Sequence, residues 1–99
     1  MPSPDFIALT DYSTDELSTL LDLARELKQK KAQGELYQPL QGKTIAMLFE
    51  KPSLRTRMTF EAGIFQLGGH GIFMTTKLGE RETVPDMARN LERWVDGIV

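Results

Sequence analysis

Lys43-Thr44-Ile45-Ala46-Met47-Leu48-Phe49, running directly into Glu50-Lys51-Pro52-Ser53-Leu54-Arg55-Thr56-Arg57, is the stretch on which the fold turns. Its first part is short and nearly continuous in apolar residues. That pattern fits a strand covered on both faces, as in a parallel sheet, better than the alternation of a half-exposed strand. Pro52 has no N–H to give to a ladder and ends the strand. A helix is expected from near Ser53 to about Leu67, with Met58, Ala62 and Phe65 facing a core, joined by Phe60, Ile64 and Leu67. Gly68-Gly69 stops it.

The same logic extends in both directions. Downstream, Gly71 to Thr75 reads as a second strand and Lys77 to Glu82 as a polar loop. A third helix follows, capped by Thr83 with Asp86, with Pro85 tolerated in its first turn. Met87, Ala88, Leu91, Trp94 and Val95 form its apolar side, and Gly97-Ile98-Val99 opens a third strand. Upstream, residues 1–12 read as an arm. Ser13-Thr14-Asp15-Glu16 fits a capping box, with Tyr12 and Leu17 placed for a hydrophobic staple. Leu17, Leu20, Leu21, Ala24 and Leu27 recur at helical spacing. Lys28, Lys30 and Lys31 suit the negative end of that helix's dipole, and Gly34 stops it. Helix and strand alternate throughout, which predicts an α/β fold: a parallel sheet with flanking helices and right-handed crossovers.

Ninety-nine residues suit one small domain with a modest core, and 40% hydrophobic with 26% charged residues is ordinary for a globular chain. A formal net charge of -2 carries no basic excess directed at nucleic acid or a membrane surface. The absence of cysteine removes disulfides, thiolate catalysis and cysteine-ligated metals. Neither a signal peptide nor a membrane-spanning run is apparent, so a cytoplasmic location is the expectation.

Chemistry is expected at Ser53 to Arg57. A strand-to-helix turn lies at the carboxyl edge of the sheet, where open α/β sheets bind ligands. The first turn of a helix offers free N–H groups and the positive end of the dipole. Ser53 and Thr56 add hydroxyls, and Arg55 adds a fork able to grip two oxygens of a phosphate or carboxylate. Such an oxyanion site calls for no metal or cofactor. The plainer alternative is a capped helix bearing solvated arginines.

Phe49 to Arg57 resembles the Ser-x-Arg-Thr-Arg signature of the aspartate and ornithine transcarbamylases. Phe60-Glu61-Ala62-Gly63, Gln66-Leu67-Gly68-Gly69, Leu78-Gly79-Glu80-Arg81-Glu82-Thr83, Asp86-Met87-Ala88-Arg89-Asn90-Leu91 and Asp96-Gly97-Ile98-Val99 follow in that family's order. The resemblance covers nearly the whole chain and implies a carbamoyltransferase. It implies that Ser53, Leu54 (through its backbone), Arg55 and Thr56 bind carbamoyl phosphate, with Arg55 and Thr56 catalytic. Arg57 is expected to brace the site through Glu82. Lys77 stands where ornithine enzymes usually carry Gln and resembles the loop lysine of aspartate enzymes; it is expected to contact phosphate, and its alternative is an exposed loop lysine.

The resemblance also implies that residues 1–99 form the N-terminal carbamoyl-phosphate-binding domain, incomplete, with the acceptor-binding domain absent. Citrulline formation by the isolated chain is therefore not expected. The complete enzyme is expected to be a homotrimer. Glu50 to Ser53 and Glu92 to Gly97 favour ornithine as acceptor. Aspartate, an acylated ornithine, or a non-catalytic phosphate-binding fragment are the alternatives. His70 is expected to be a turn residue rather than a base. Gly42-Lys43-Thr44 lacks the first glycine of a P-loop, and Gly69-His70-Gly71 lacks the third glycine of a dinucleotide fingerprint. Glu80, Glu82 and Asp86 read as a solvated loop and helix cap rather than a metal site.

Overall fold

The apolar run Thr44–Phe49 forms β1, the central strand of a three-stranded parallel sheet with β2 (His70–Thr75) and β3 (Gly97–Ile98), in the order β2-β1-β3. This computed structural model describes residues 5–75, 77 and 79–99. Residues 1–4 of the arm, and Leu78 in the loop read over 77–82, lie outside the described residues. The described residues fall in two compact units, 1–36 and 37–99.

In the first unit a short 3-10 turn (Leu9–Asp11) precedes α1 (Thr14–Ala32). The expected capping box is present. The Ser13 hydroxyl accepts from the Glu16 N–H at 3.1 Å, and the Glu16 carboxylate accepts from the Ser13 N–H at 2.9 Å. Tyr12 is buried, its ring stacked on Phe6 at 4.8 Å and its hydroxyl donating to the Asp5 carbonyl. The helix ends in a Schellman motif: the Gly34 N–H donates to Lys31 O and the Glu35 N–H to Lys30 O, with Gly34 at φ 74°. Along the expected apolar face, Leu17, Leu20 and Leu27 are half-buried, while Leu21 and Ala24 are exposed.

In the second unit β1 pairs with β2 from Thr44↔His70 to Phe49↔Thr75 and with β3 at Ile45↔Gly97 and Ala46↔Ile98. Pairing on both sides places Ala46 and Met47 at the centre, and Met47 is fully buried. The Asp96 carboxylate accepts from the Thr44 N–H at 2.9 Å, fixing the entry of β3 beside β1. The connections are α2 (Leu54–Gln66) and α3 (Val84–Trp94). Both Thr83 and Pro85 act as read: the Thr83 hydroxyl accepts from the Asp86 N–H, and proline sits in the first turn.

Two expectations need correction. Met58 and Phe65 are not core residues of α2; they are 60% and 77% exposed, and Ala62 is also exposed. Ile64 is the buried one. Gly69 admits it: an added Cβ there would lie 3.1 Å from an Ile64 methyl, while at Gly71 an added Cβ would meet the Met47 Cε at 2.9 Å. The close approach at Gly69 fixes which side of α2 meets the sheet. His70 is not a turn residue. It opens β2, donating its N–H to the Lys43 carbonyl, with its side chain exposed. The turn falls one step earlier, in the Schellman motif that joins Gly68 N–H to Phe65 O and Gly69 N–H to Ile64 O.

Candidate functional site

The chain steps from β1 through α2 to one flank of the sheet and through α3 to the other. A reversal of this kind opens a crevice at the carboxyl ends of the strands, and the first turn of α2 follows directly from the carboxyl end of β1. Ser53 is the N-cap residue, but it does not cap with its side chain. Its backbone stands at φ -143°, ψ 115°, whereas the two capping residues Ser13 and Thr83 stand near φ -70°, at -73° and -66°. The Ser53 carbonyl still accepts from the Arg57 N–H at 3.2 Å, so the helix starts normally while the hydroxyl is uncommitted to it.

The first turn of α2 contains no acidic residue, unlike those of α1 and α3. It carries Arg55 and Arg57 instead. Free N–H groups, the dipole and the Arg55 guanidinium make this end of α2 electropositive. Arg55 is exposed, and its guanidinium makes no hydrogen bond or ion pair among the described residues. Its carbonyl is used by the helix, accepting from the Thr59 hydroxyl at 2.7 Å. Thr56 is exposed, and Leu54 presents its backbone to this turn with a side chain 79% exposed. Ser53, Leu54, Arg55 and Thr56 are thus brought together by being consecutive at one helix end.

Arg57 is built in differently from what the sequence suggests. Its Nε donates to Glu61 at 3.1 Å, and its Cζ lies 3.7 Å from the centroid of the Phe73 ring. Glu82 does not pair with it; the Glu82 carboxylate accepts from Asn90 Nδ2 at 3.3 Å. The i,i+4 spacing of Arg57 and Glu61 on one helix is the favoured arrangement, and it outcompetes a partner across a loop. That spacing was visible in the sequence. The seat on Phe73, from another element, was not.

Lys77 is exposed and lines a separate feature. A cleft of about 520 Å³ runs between the carboxyl ends of β1 and β2 and the apolar side of α3, lined by Leu48, Met74, Lys77, Arg81, Leu91 and Trp94 among others. None of residues 53–57 lines this cleft. Arg81, passed over in the sequence, is a second cation on the same rim as Lys77. Glu82 is tied to Asn90 and Asp86 to Arg89.

Against known proteins, the model of the family described as aspartate/ornithine carbamoyltransferase, carbamoyl-P binding domain, matches residues 4–99. The ornithine carbamoyltransferase of Anoxybacillus flavithermus is 52% identical over 98 residues, covering 96% of this chain and 31% of that protein. The structure of the ornithine carbamoyltransferase from Pyrococcus furiosus superposes with a TM-score of 0.91 at 41% identity, covering 95% of this chain and 31% of that one. An N-acetyl-L-ornithine transcarbamylase mutant complexed with carbamyl phosphate and N-succinyl-L-norvaline superposes with a TM-score of 0.84 at 37% identity, covering 97% of this chain and 32% of that one. The chain spans about a third of the length of these relatives. Among the described residues no helix is long and apolar enough to cross a membrane. With its parallel sheet, its strand-to-helix turn and its whole length but three residues matched, the chain belongs to the aspartate/ornithine carbamoyltransferase family, in the part that forms the carbamoyl-P binding domain.

Proposed function

We propose that the first turn of α2 is the carbamoyl-phosphate site of a carbamoyltransferase whose acceptor is the side-chain amine of ornithine. The observation that carries this reading is the open helix end: the Ser53 hydroxyl is not spent on capping, no carboxylate occupies the turn, and Arg55 has no protein partner among the described residues. A capped helix start would instead spend the Ser53 hydroxyl on its own backbone.

In this reading the N–H groups of Leu54, Arg55 and Thr56 and the Ser53 hydroxyl hold phosphate oxygens. Arg55 grips the phosphate and, with Thr56, donates to the carbamoyl oxygen. The deprotonated amine of the acceptor attacks the carbamoyl carbon, forming a C–N bond, and negative charge grows on the carbonyl oxygen. Donors fixed around that oxygen favour the transition state over the ground state. The C–O bond to phosphate then breaks, phosphate leaves with the electron pair under the Arg55 charge, and the amine nitrogen passes its proton to the departing phosphate. The products are citrulline and phosphate.

Ornithine is favoured because the curated relatives above carry that name. The N-acetyl-L-ornithine transcarbamylase likeness supports an acylated ornithine as the alternative acceptor. Lys77 supplies a further cation to the phosphate, within its own chain or, in a homotrimer, in a neighbouring subunit's site; as a compact point charge it can serve a phosphate where a Gln amide otherwise would.

Titration of the 99-residue chain with carbamoyl phosphate and with inorganic phosphate tests this. Saturable binding of carbamoyl phosphate, tighter than that of phosphate, is expected, with the Ser53 to Thr56 amide resonances moving. Equal weak binding of both anions would favour a generic phosphate-binding fragment, and movement elsewhere in the chain would remove the site.

A further inference from the structure

We infer that Phe73 is a positioning residue for this site: one aromatic ring anchors both ends of the segment that binds the anion. The inference rests on the reading just proposed. Phe49, the last residue of β1, meets the Phe73 ring edge-on, with centroids 5.4 Å apart and planes at 86°. Arg57, in the first turns of α2, lays its guanidinium on Phe73 with Cζ 3.7 Å from the centroid. Phe49 precedes the strand-to-helix connection and Arg57 follows it. Ser53, Leu54, Arg55 and Thr56 all lie between these two contacts.

Phe73 itself stands in β2 opposite Met47, the fully buried residue of β1, so the ring is carried by the paired centre of the sheet. Glu61 completes the seat. Its carboxylate takes the Arg57 Nε–H at 3.1 Å, which holds the guanidinium plane while its face meets the ring. With its charge balanced by Glu61, Arg57 fixes the start of α2 to the ring and its fork is not needed by the ligand. A lysine reproduces this only in part, since its ammonium can pair with Glu61 or approach the ring but has no plane to stack. An aliphatic residue in place of Phe73 can fill space but has no quadrupole to attract the cation.

The side chains are half-exposed, so the ring–cation contact should be worth about 2- to 5-fold in an equilibrium. The test uses the 99-residue chain as wild type, Phe73→Leu, Phe73→Tyr and Arg57→Lys. Two readouts are needed: amide hydrogen exchange at Leu54, Arg55 and Thr56 without ligand, and the dissociation constant for carbamoyl phosphate. Phe73→Leu and Arg57→Lys are expected to speed exchange in this turn and weaken binding about 2- to 5-fold, while Phe73→Tyr restores both. The thermal midpoint monitors folding, and Arg57→Lys keeps the Phe49–Phe73 pair intact should the leucine variant fail to fold. Exchange and affinity unchanged in a folded Phe73→Leu or in Arg57→Lys would overturn the inference, as would a Phe73→Tyr that behaves like leucine. Changed exchange in a chain that binds no carbamoyl phosphate would uphold the anchoring and overturn the proposed ligand instead.

Discussion

Ser13 and Ser53 each stand one residue before a helix, and the two helix starts have been put to different uses. At Ser13 the N-cap side chain, the Glu16 carboxylate and two backbone N–H groups satisfy one another, and Asp15 adds a second acid to the turn. The cap hydroxyl is spent, and two carboxylates in the turn repel an anion. At Ser53 the backbone has turned to φ -143°, the hydroxyl does not cap, and the position matching Glu16 is Thr56. The two starts differ by two carboxylates, Asp15 and Glu16 against Arg55 and Thr56, and by the backbone conformation of the serine. A helix end is a binding site when its own sequence declines to satisfy it, and an arginine in place of an acid raises the potential further.

The strongest way to break the contrast is to give α2 the chemistry of α1. Thr56→Glu writes Ser-x-x-Glu at 53–56. The new carboxylate should exclude a phosphorylated ligand altogether, so that titration with carbamoyl phosphate shows no saturation. The same change should raise the thermal stability of the chain by about 0.5 kcal/mol, the scale of one added cap interaction. A gain in stability without loss of binding would separate the ligand from this helix end.

Arg55→Ala is expected to come next in size. It removes a charge-assisted contact to the anion, which corresponds to about 10- to 100-fold in affinity. Because the guanidinium has no partner among the described residues, the thermal midpoint should stay within error of the parent chain. A large fall in stability would mean that Arg55 serves the fold. In an intact carbamoyltransferase built on this chain the same substitution should abolish citrulline formation.

The two serines then give a reciprocal pair. Ser13→Ala should cost about 1 kcal/mol of stability and leave anion affinity alone, because a working N-cap is lost. Ser53→Ala should lower affinity about 10-fold, as one hydrogen bond to a charged phosphate is removed, with little change in melting. Denaturation and titration of the two variants side by side check this. Equal stability losses would show that Ser53 caps in solution.

Much of this arrangement was legible in the sequence because it is local. An unbroken apolar run between Lys43 and Glu50 can only be satisfied by partners on both sides, and it became the central strand. Serine or threonine three residues ahead of an acid identified the caps of α1 and α3, and the glycines at 34 and 68 stand where left-handed φ is needed. What was not legible depends on how elements meet. The rotation of α2 was misjudged because its apolar residues run nearly all the way round. Ile64, rather than Met58 or Phe65, is buried where Gly69 lacks a side chain. Arg57 was given the wrong carboxylate, since a sequence shows the spacing to Glu61 but not the ring of Phe73 that orients it. The cleft under α3 that Lys77 lines, which residues 53–57 do not, is likewise made by the meeting of several elements. Division of the chain after residue 36 left no trace in composition.

The smallest effect concerns protons. The Ser13 N–H holds the Glu16 carboxyl below the usual glutamate range, because it hydrogen-bonds to the charged form. A group whose pKa is lowered by folding contributes its stability above the unfolded value and loses it as pH falls toward the folded one. The α1 start should therefore weaken on acidification through and below the ordinary glutamate range, and Glu16→Gln should flatten that part of the stability–pH profile. The start of α2 has threonine at the equivalent place and should show no such titration. Introducing Thr56→Glu should create one there, so that acidification of this variant weakens its α2 cap while neutralising the charge that repels the ligand. Anion affinity rising as stability falls, in one chain over one pH interval, would tie both properties to the same carboxylate at the same helix end; affinity that stays absent in acid, with the cap open, would count against the electrostatic basis of the site.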